Sequence, residues 1–304
     1  MRTVVAHVGA VVTVRCVRTA GVVLAGIVAF SAGQVASAAP PTGLTIDPIG
    51  YRIVDGAPLL SEPMSGDGLI ADTGLTATAP SNGSTPSSRS VIGTDDRTRV
   101  ADTQASPYRR TGQVSVTIGS YKTTCTGWLI SPRAVVTAGH CLTNGYSVAS
   151  DISYTPARNG TGNDPYESVG AEQIWLDSNY QYGVRAGRDW ALIALTHPIG
   201  DTLGWYGMRP VDDVDLTGRP ARIIGYPTDR PAGTMWQHTS NITEQSDRNF
   251  YYTTDTAGGQ SGSAVTTDDD NIADGIHVTG VGAGPHNGAT ALTAELFNTF
   301  AALR

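Results

Sequence analysis

Thr137-Ala138-Gly139-His140-Cys141 and, far downstream, Gly259-Gln260-Ser261-Gly262-Ser263 are the stretches whose reading decides the fold. The first sets an imidazole on a short turn beside a cysteine. The second sets a serine in a glycine-rich loop that can expose its own N–H groups. Base, nucleophile and a main-chain site for a developing oxyanion are the parts of a serine hydrolase. A lone Gly-x-Ser-Gly is common. The pairing gains specificity from Cys125, which precedes Cys141 across a Gly127-Trp128-Leu129-Ile130 strand and a Ser131-Pro132-Arg133 turn.

Working outward, the segments around these motifs read mostly as strands. Val114, Val116 and Ile118 alternate with polar residues, the period of a half-buried strand. Further strand candidates are Ala134 to Thr137, Trp190 to Leu195, Ala221 to Gly225, Phe250 to Thr254, Ser263 to Thr267 and Gly275 to Val281. Only the C-terminus looks helical: Leu296, Phe297, Phe300 and Leu303 share a face, and Thr293 is an N-cap candidate. Many short strands with one terminal helix predict an all-β fold of paired barrels over a parallel α/β sheet. The Cys125-to-Cys141 layout resembles the chymotrypsin-like serine proteases. That resemblance implies two six-stranded antiparallel barrels with a C-terminal helix.

With 304 residues, 40% of them hydrophobic, the chain can furnish a sizeable core, and 36 glycines fit a turn-rich β protein. A net charge of −7 argues against nucleic acid or an anionic membrane surface as partner. Arg2, Arg15 and Arg18, the apolar run from Ala20 to Phe30 and the small residues Ala36-Ser37-Ala38 read as a secretory signal over 1–38. Secretion to the extracellular space is therefore expected. Cys16 leaves with the signal, and the exported chain keeps Cys125 and Cys141; an oxidising compartment favours a disulfide over two thiols. Residues 39–89 carry no sustained strand or helix pattern and read as a propeptide. The segment closes on a polar linker, Ser81-Asn82-Gly83-Ser84, with Arg89 as the processing site. Residues 90–304 are the expected protease domain.

Serine is a weak nucleophile unless a base adjoins it, and the base needs an orienting carboxylate. Gly187-Arg188-Asp189-Trp190-Ala191-Leu192-Ile193 places one acid immediately before an apolar strand. Asp189 is the expected orienting acid, His140 the base and Ser261 the nucleophile, in the chain order of the chymotrypsin class. The N–H groups of Gly259 and Ser261 are the expected oxyanion hole.

Ser90-Val91-Ile92-Gly93-Thr94-Asp95-Asp96-Arg97-Thr98-Arg99-Val100, the Cys125–Cys141 segment, Trp236-Gln237-His238 and Asp255-Thr256-Ala257-Gly258-Gly259-Gln260-Ser261 resemble the bacterial glutamyl endopeptidases. That branch implies a signal peptide, a propeptide and cleavage after glutamate. Ala264 stands where proline usually follows the Ser-Gly-Ser, and the second disulfide of some relatives cannot form. Gln260 replaces the acid that trypsin-like zymogens pair with a freed N-terminus, so that activation salt bridge is not expected.

In such a fold the substrate pocket is walled by residues before the serine and by the strand after it. Thr256 and His277 are the expected ligands of the substrate carboxylate. Val278, Thr279 and Gly280 are expected to pair with the substrate backbone by strand addition. Asp255, six residues before Ser261, stands where trypsin carries the acid that selects Arg or Lys. A trypsin-like specificity through Asp255 is the alternative, and an inactive protease-like binding module is the alternative from another class. Asp268-Asp269-Asp270-Asn271 reads as a solvated turn. No metal or other cofactor is expected; the substrates are polypeptides and the protein a monomer.

Overall fold

The computed structural model describes residues 46–60, 91–180, 187–279 and 286–304. The expected signal, the Ser81–Ser84 linker, the Arg89–Ser90 junction and Gly280 lie outside these residues. The first described elements correct the sequence reading. Within 39–89 stands a β-hairpin of β1 (Pro48–Val54) and β2 (Ala57–Leu60). It turns on Asp55 and Gly56, with φ of 50° and 79°, a conformation that an Asp-Gly pair favours.

After β3 (Thr98–Arg99) come the strands of the first barrel: β4 (Thr111–Ile118), β5 (Tyr121–Leu129), β6 (Ala134–Thr137), β7 (Ser150–Pro156), β8 (Val169–Asp177) and β9 (Ala191–Leu195). They close in the order β7-β4-β5-β6-β9-β8, all antiparallel. β-Branched and aromatic side chains fill the interior, with Val114, Trp128, Val136, Ile174 and Leu192 fully buried. A single helical turn, α1 (Gly200–Leu203), and a short β10 (Gly207–Met208) lead to the second barrel.

That barrel runs through β11 (Pro220–Gly225), β12 (Trp236–Gln245), β13 (Asn249–Tyr252), β14 (Ala264–Thr266), β15 (Ile272–Thr279) and β16 (Asn287–Ala291). Pairing of β15 with β16 closes it in the order β15-β14-β11-β12-β13-β16, around Ile223, Ile242, Phe250, Val265 and Ala289. Two closed six-stranded antiparallel barrels and a C-terminal helix are the architecture expected from the sequence. The helix is α2 (Ala294–Leu303), capped by Thr293 Oγ1, which accepts from Leu296 N at 3.2 Å. Its buried Phe300 meets Trp190 edge-on at 5.5 Å, so the helix braces the residue next to Asp189. Among the described residues, no helix is long and apolar enough to cross a membrane.

Candidate active site

His140 lies in a 3₁₀ turn, Gly139–Cys141, directly after β6. Asp189 precedes β9, the strand paired with β6, so adjacent strands deliver the two residues together. Asp189 Oδ2 is 2.8 Å from His140 Nδ1, and Oδ1 accepts the His140 backbone N–H at 2.9 Å. The carboxylate is 3% exposed and the imidazole 30%, so the acid is shielded from water while the ring keeps an exposed edge. A carboxylate on Nδ1 holds the proton there and leaves Nε2 free to accept one. Behind Asp189, Arg188 Nη1 donates to both oxygens of the fully buried Asp177 at 3.0 Å, anchoring the turn from the end of β8.

The Ser261 loop belongs to the second barrel but hangs on the first. Cys125 and Cys141 form a disulfide between β5 and the His140 turn. Next to Cys125, Thr126 N donates to the Ser261 carbonyl at 2.8 Å, and Thr126 Oγ1 donates to the Gly259 carbonyl at 2.9 Å. Gly259 has φ of 91°, and a Cβ there would stand 2.4 Å from the Tyr226 carbonyl, so only glycine fits. Among the described residues the N–H groups of Gly259 and Ser261 make no hydrogen bond, and neither does the Ser261 hydroxyl. Both donors are uncommitted, as an oxyanion site requires.

Sequence reasoning missed the support under this loop. Arg97 is buried and makes a bidentate pair with Asp229 at 3.0 and 2.7 Å, and a second pair with Asp95 at 2.9 and 2.7 Å. Its Nη1 also reaches Gln260 Oε1 at 3.4 Å, and the same oxygen accepts the Ala257 N–H at 3.0 Å. Gln260, the substitute for the zymogen acid, is thus tied to a cation within the chain. The hydrogen bonds of Arg97 to Asp229 and Gln260 span more than a hundred residues, and no local signal reveals them.

Asp255 is turned toward the N-terminal segment. Its Oδ1 accepts the Ile92 N–H at 2.8 Å and its Oδ2 the Asp96 N–H at 3.0 Å. His238 Nδ1 accepts the Asp255 N–H at 2.8 Å, which gives that histidine a structural partner. His277 is buried, and Tyr252 Oη lies 2.6 Å from its Nδ1. Burial, with the charge of His140 adding to it, pulls the imidazole down to about 3, against the raising influence of the Gly288 backbone and Asp189. His277 is therefore neutral at physiological pH, a hydrogen-bonding group and not a cation. Thr256 Oγ1 is buried without a hydrogen-bond partner among the described residues. Val278 is buried, Thr279 exposed, and the ladder to β16 slips between His277 and Thr279.

Two clusters of described residues have the composition of a metal site. One contains Cys125 and Cys141, whose sulfurs are spent on the disulfide. The other, Asp96 with His238 and Asp255, has the Asp255 oxygens and His238 Nδ1 committed to backbone N–H groups, which does not suit a resident ion. The Asp268–Asp270 turn is exposed and tied to arginines: Asp268 to Arg209 and Arg219, Asp270 to Arg222.

A family model described as Trypsin matches residues 99–299. A glutamyl endopeptidase of Bacillus licheniformis is 38% identical over 251 residues, 79% of this chain and 77% of the relative. A Bacillus subtilis protein named extracellular metalloprotease is 33% identical over 297 residues, 95% of this chain and 94% of the relative. The solved structure of a Glu endopeptidase in complex with MPD superposes with a TM-score of 0.63 at 32% identity, covering 70% of this chain and all of that one. The chain belongs to the trypsin family, and is a serine endopeptidase close to the glutamyl endopeptidases.

Proposed function

We propose that this endopeptidase is secreted, is made with a signal over 1–38 and a pro-segment over 39–89, and cleaves after acidic residues, chiefly glutamate. Ser261 Oγ attacks the scissile carbonyl while His140 Nε2 takes its proton, and Asp189 holds the imidazole in position and steadies its positive charge. The N–H groups of Gly259 and Ser261 receive the oxyanion. Collapse of the tetrahedral intermediate breaks the C–N bond as His140 returns the proton to the leaving amine. Water then repeats the sequence on the acyl-enzyme.

The observation that carries the specificity is the setting of Asp255. An acid engaged by the Ile92 and Asp96 N–H groups is not presented to a substrate cation, which disfavours the trypsin-like alternative. A neutral His277 and the unpartnered Thr256 hydroxyl remain as ligands for a substrate carboxylate. If Tyr252 donates to Nδ1, the proton of His277 sits on Nε2. A bound carboxylate then raises the imidazole pKa and strengthens the contact. Val278 and Thr279 at the end of β15, with Gly280 next in sequence, are the proposed strand-addition partners of the substrate backbone.

Two measurements test this reading on the purified mature enzyme. A serine-reactive phosphonate should label Ser261; an unlabelled serine would favour the inactive binding module. Cleavage profiling on a mixed peptide library should place glutamate before the cut bond, and a preference for Arg and Lys would overturn the specificity.

A further inference from the structure

β8 has an open edge. β7 pairs with it only at Val169 and Gly170, so beyond that point one side of β8 has no partner from within the barrel. β1 fills the gap antiparallel, with Pro48 opposite Asp177, Ile49 opposite Leu176, Gly50 opposite Trp175, Tyr51 opposite Ile174 and Arg52 opposite Gln173. The burial of β8 follows the same boundary. Val169 to Glu172 alternate buried and exposed, whereas Ile174 to Asp177 are all buried.

Among the described residues, the hairpin is held in this seat by contacts made from residues 46–60. Ile46, Ile49, Tyr51 and Ile53 pack on the first barrel's core. At one end Ser178 N and Oγ donate to the carbonyl and carboxylate of Asp47, at 2.8 and 2.9 Å, and Ile46 N donates to Glu295 Oε1 at 2.5 Å. At the turn, Asp151 N donates to the Gly56 carbonyl at 2.8 Å. Nothing in this set requires the covalent link to residue 90, and 29 residues separate Leu60 from Ser90.

We propose that Gln173–Asp177 is a strand-addition site for the chain's own hairpin, and that the hairpin stays seated after the chain is cut at Arg89. This rests on the reading of 39–89 as a pro-segment. The mature enzyme is then a two-chain molecule whose first barrel keeps its edge covered. The hairpin also lacks glutamate, the residue this enzyme is proposed to prefer. Residues 1–89 contain one glutamate, Glu62, which lies outside the hairpin and precedes Pro63, whose tertiary amide is a poor bond to cut.

The test uses the full chain with Ser261→Ala, so that no self-digestion occurs, and a recognition sequence for a site-specific protease in place of Ser81–Ser84. After cleavage, the fragment carrying 46–60 should co-elute with the body in equal amount on gel filtration. The amides of Gln173–Asp177 should exchange hydrogen as slowly as before the cut. A fragment that elutes alone, with exchange at those amides at least about tenfold faster, overturns the proposal. In the same chain the pair Ile49→Asp and Ile53→Asp should release the fragment; retention would show that it is held elsewhere, which also overturns the proposal. N-terminal sequencing of the natural secreted enzyme tests the pro-segment boundary separately.

Discussion

Asp255→Asn distinguishes an acid that selects substrate from an acid that holds the N-terminal segment. The carboxylate is 1% exposed and takes one backbone N–H on each oxygen. Asparagine keeps one acceptor and turns an amide donor toward the other N–H, so one bond to a charged acceptor is lost and one buried donor is left unpaired. A hydrogen bond to a charged group contributes about 1.5–3 kcal/mol, and an orphaned donor costs a similar amount if it cannot relax. Local shifts of the 92–96 segment recover part of this, so a net loss of about 2–3 kcal/mol is expected. For a domain of this size that lowers Tm by roughly 4–12 °C. Calorimetry of the mature enzyme, with and without the substitution, measures the loss. Cleavage profiling on the same samples should show glutamate preference intact. An unchanged Tm together with wild-type cleavage after Arg and Lys that disappears in the variant would refute the reasoning.

Further outcomes follow from the same geometry. Tyr252→Phe removes the partner of His277 Nδ1 and should lower kcat/KM on glutamyl peptides by about 5- to 150-fold, from roughly 1–3 kcal/mol for a buried polar atom left unpaired. A Gln-containing analogue should lose much less, and equal losses on both would place His277 outside the pocket. Because His277 binds its proton in the unfolded chain near 6.5 but in the folded chain only near 3, its contribution to stability is complete above 6.5 and is lost as pH falls from there toward 3. Denaturant titrations across that window should show a shallower decline in His277→Gln than in the wild type. Gly259→Ala should fold less stably and lose at least about 100-fold in kcat, since a Cβ there collides with the Tyr226 carbonyl and displaces an oxyanion donor. Near-normal turnover would remove Gly259 from the oxyanion site.

The barrels were legible where their strands alternate. Val114, Val116 and Ile118 of β4 and the apolar runs of β5, β6 and β9 carry the first core. Three strands hide their pattern for different reasons. β12 buries only Ile242 among ten mostly polar residues, and β16, Asn287–Ala291, is built of small residues wholly enclosed by neighbours. β8 alternates only until the hairpin covers it. The hairpin carried its own signal, Asp55-Gly56 between apolar residues, masked by the proline- and glycine-rich surroundings. At the site, His140 and Asp189 were readable because each sits at the end of an apolar strand, and the structure joins them directly. What the sequence could not yield was direction. Nothing in Asp255-Thr256 tells which way the carboxylate turns, because its partners, Ile92 and Asp96, lie some 160 residues upstream.

The first barrel carries His140 and Asp189, the second carries Ser261, and they meet through the Thr126–Ser261 hydrogen bond beside the disulfide. Each half therefore holds an incomplete set of reacting groups. A chain divided in the α1 region would give two silent pieces whose reunion switches on turnover. The molecule is thus suited to conversion into a split reporter, in which fusing each piece to one of two interacting proteins makes peptide cleavage the readout of their encounter.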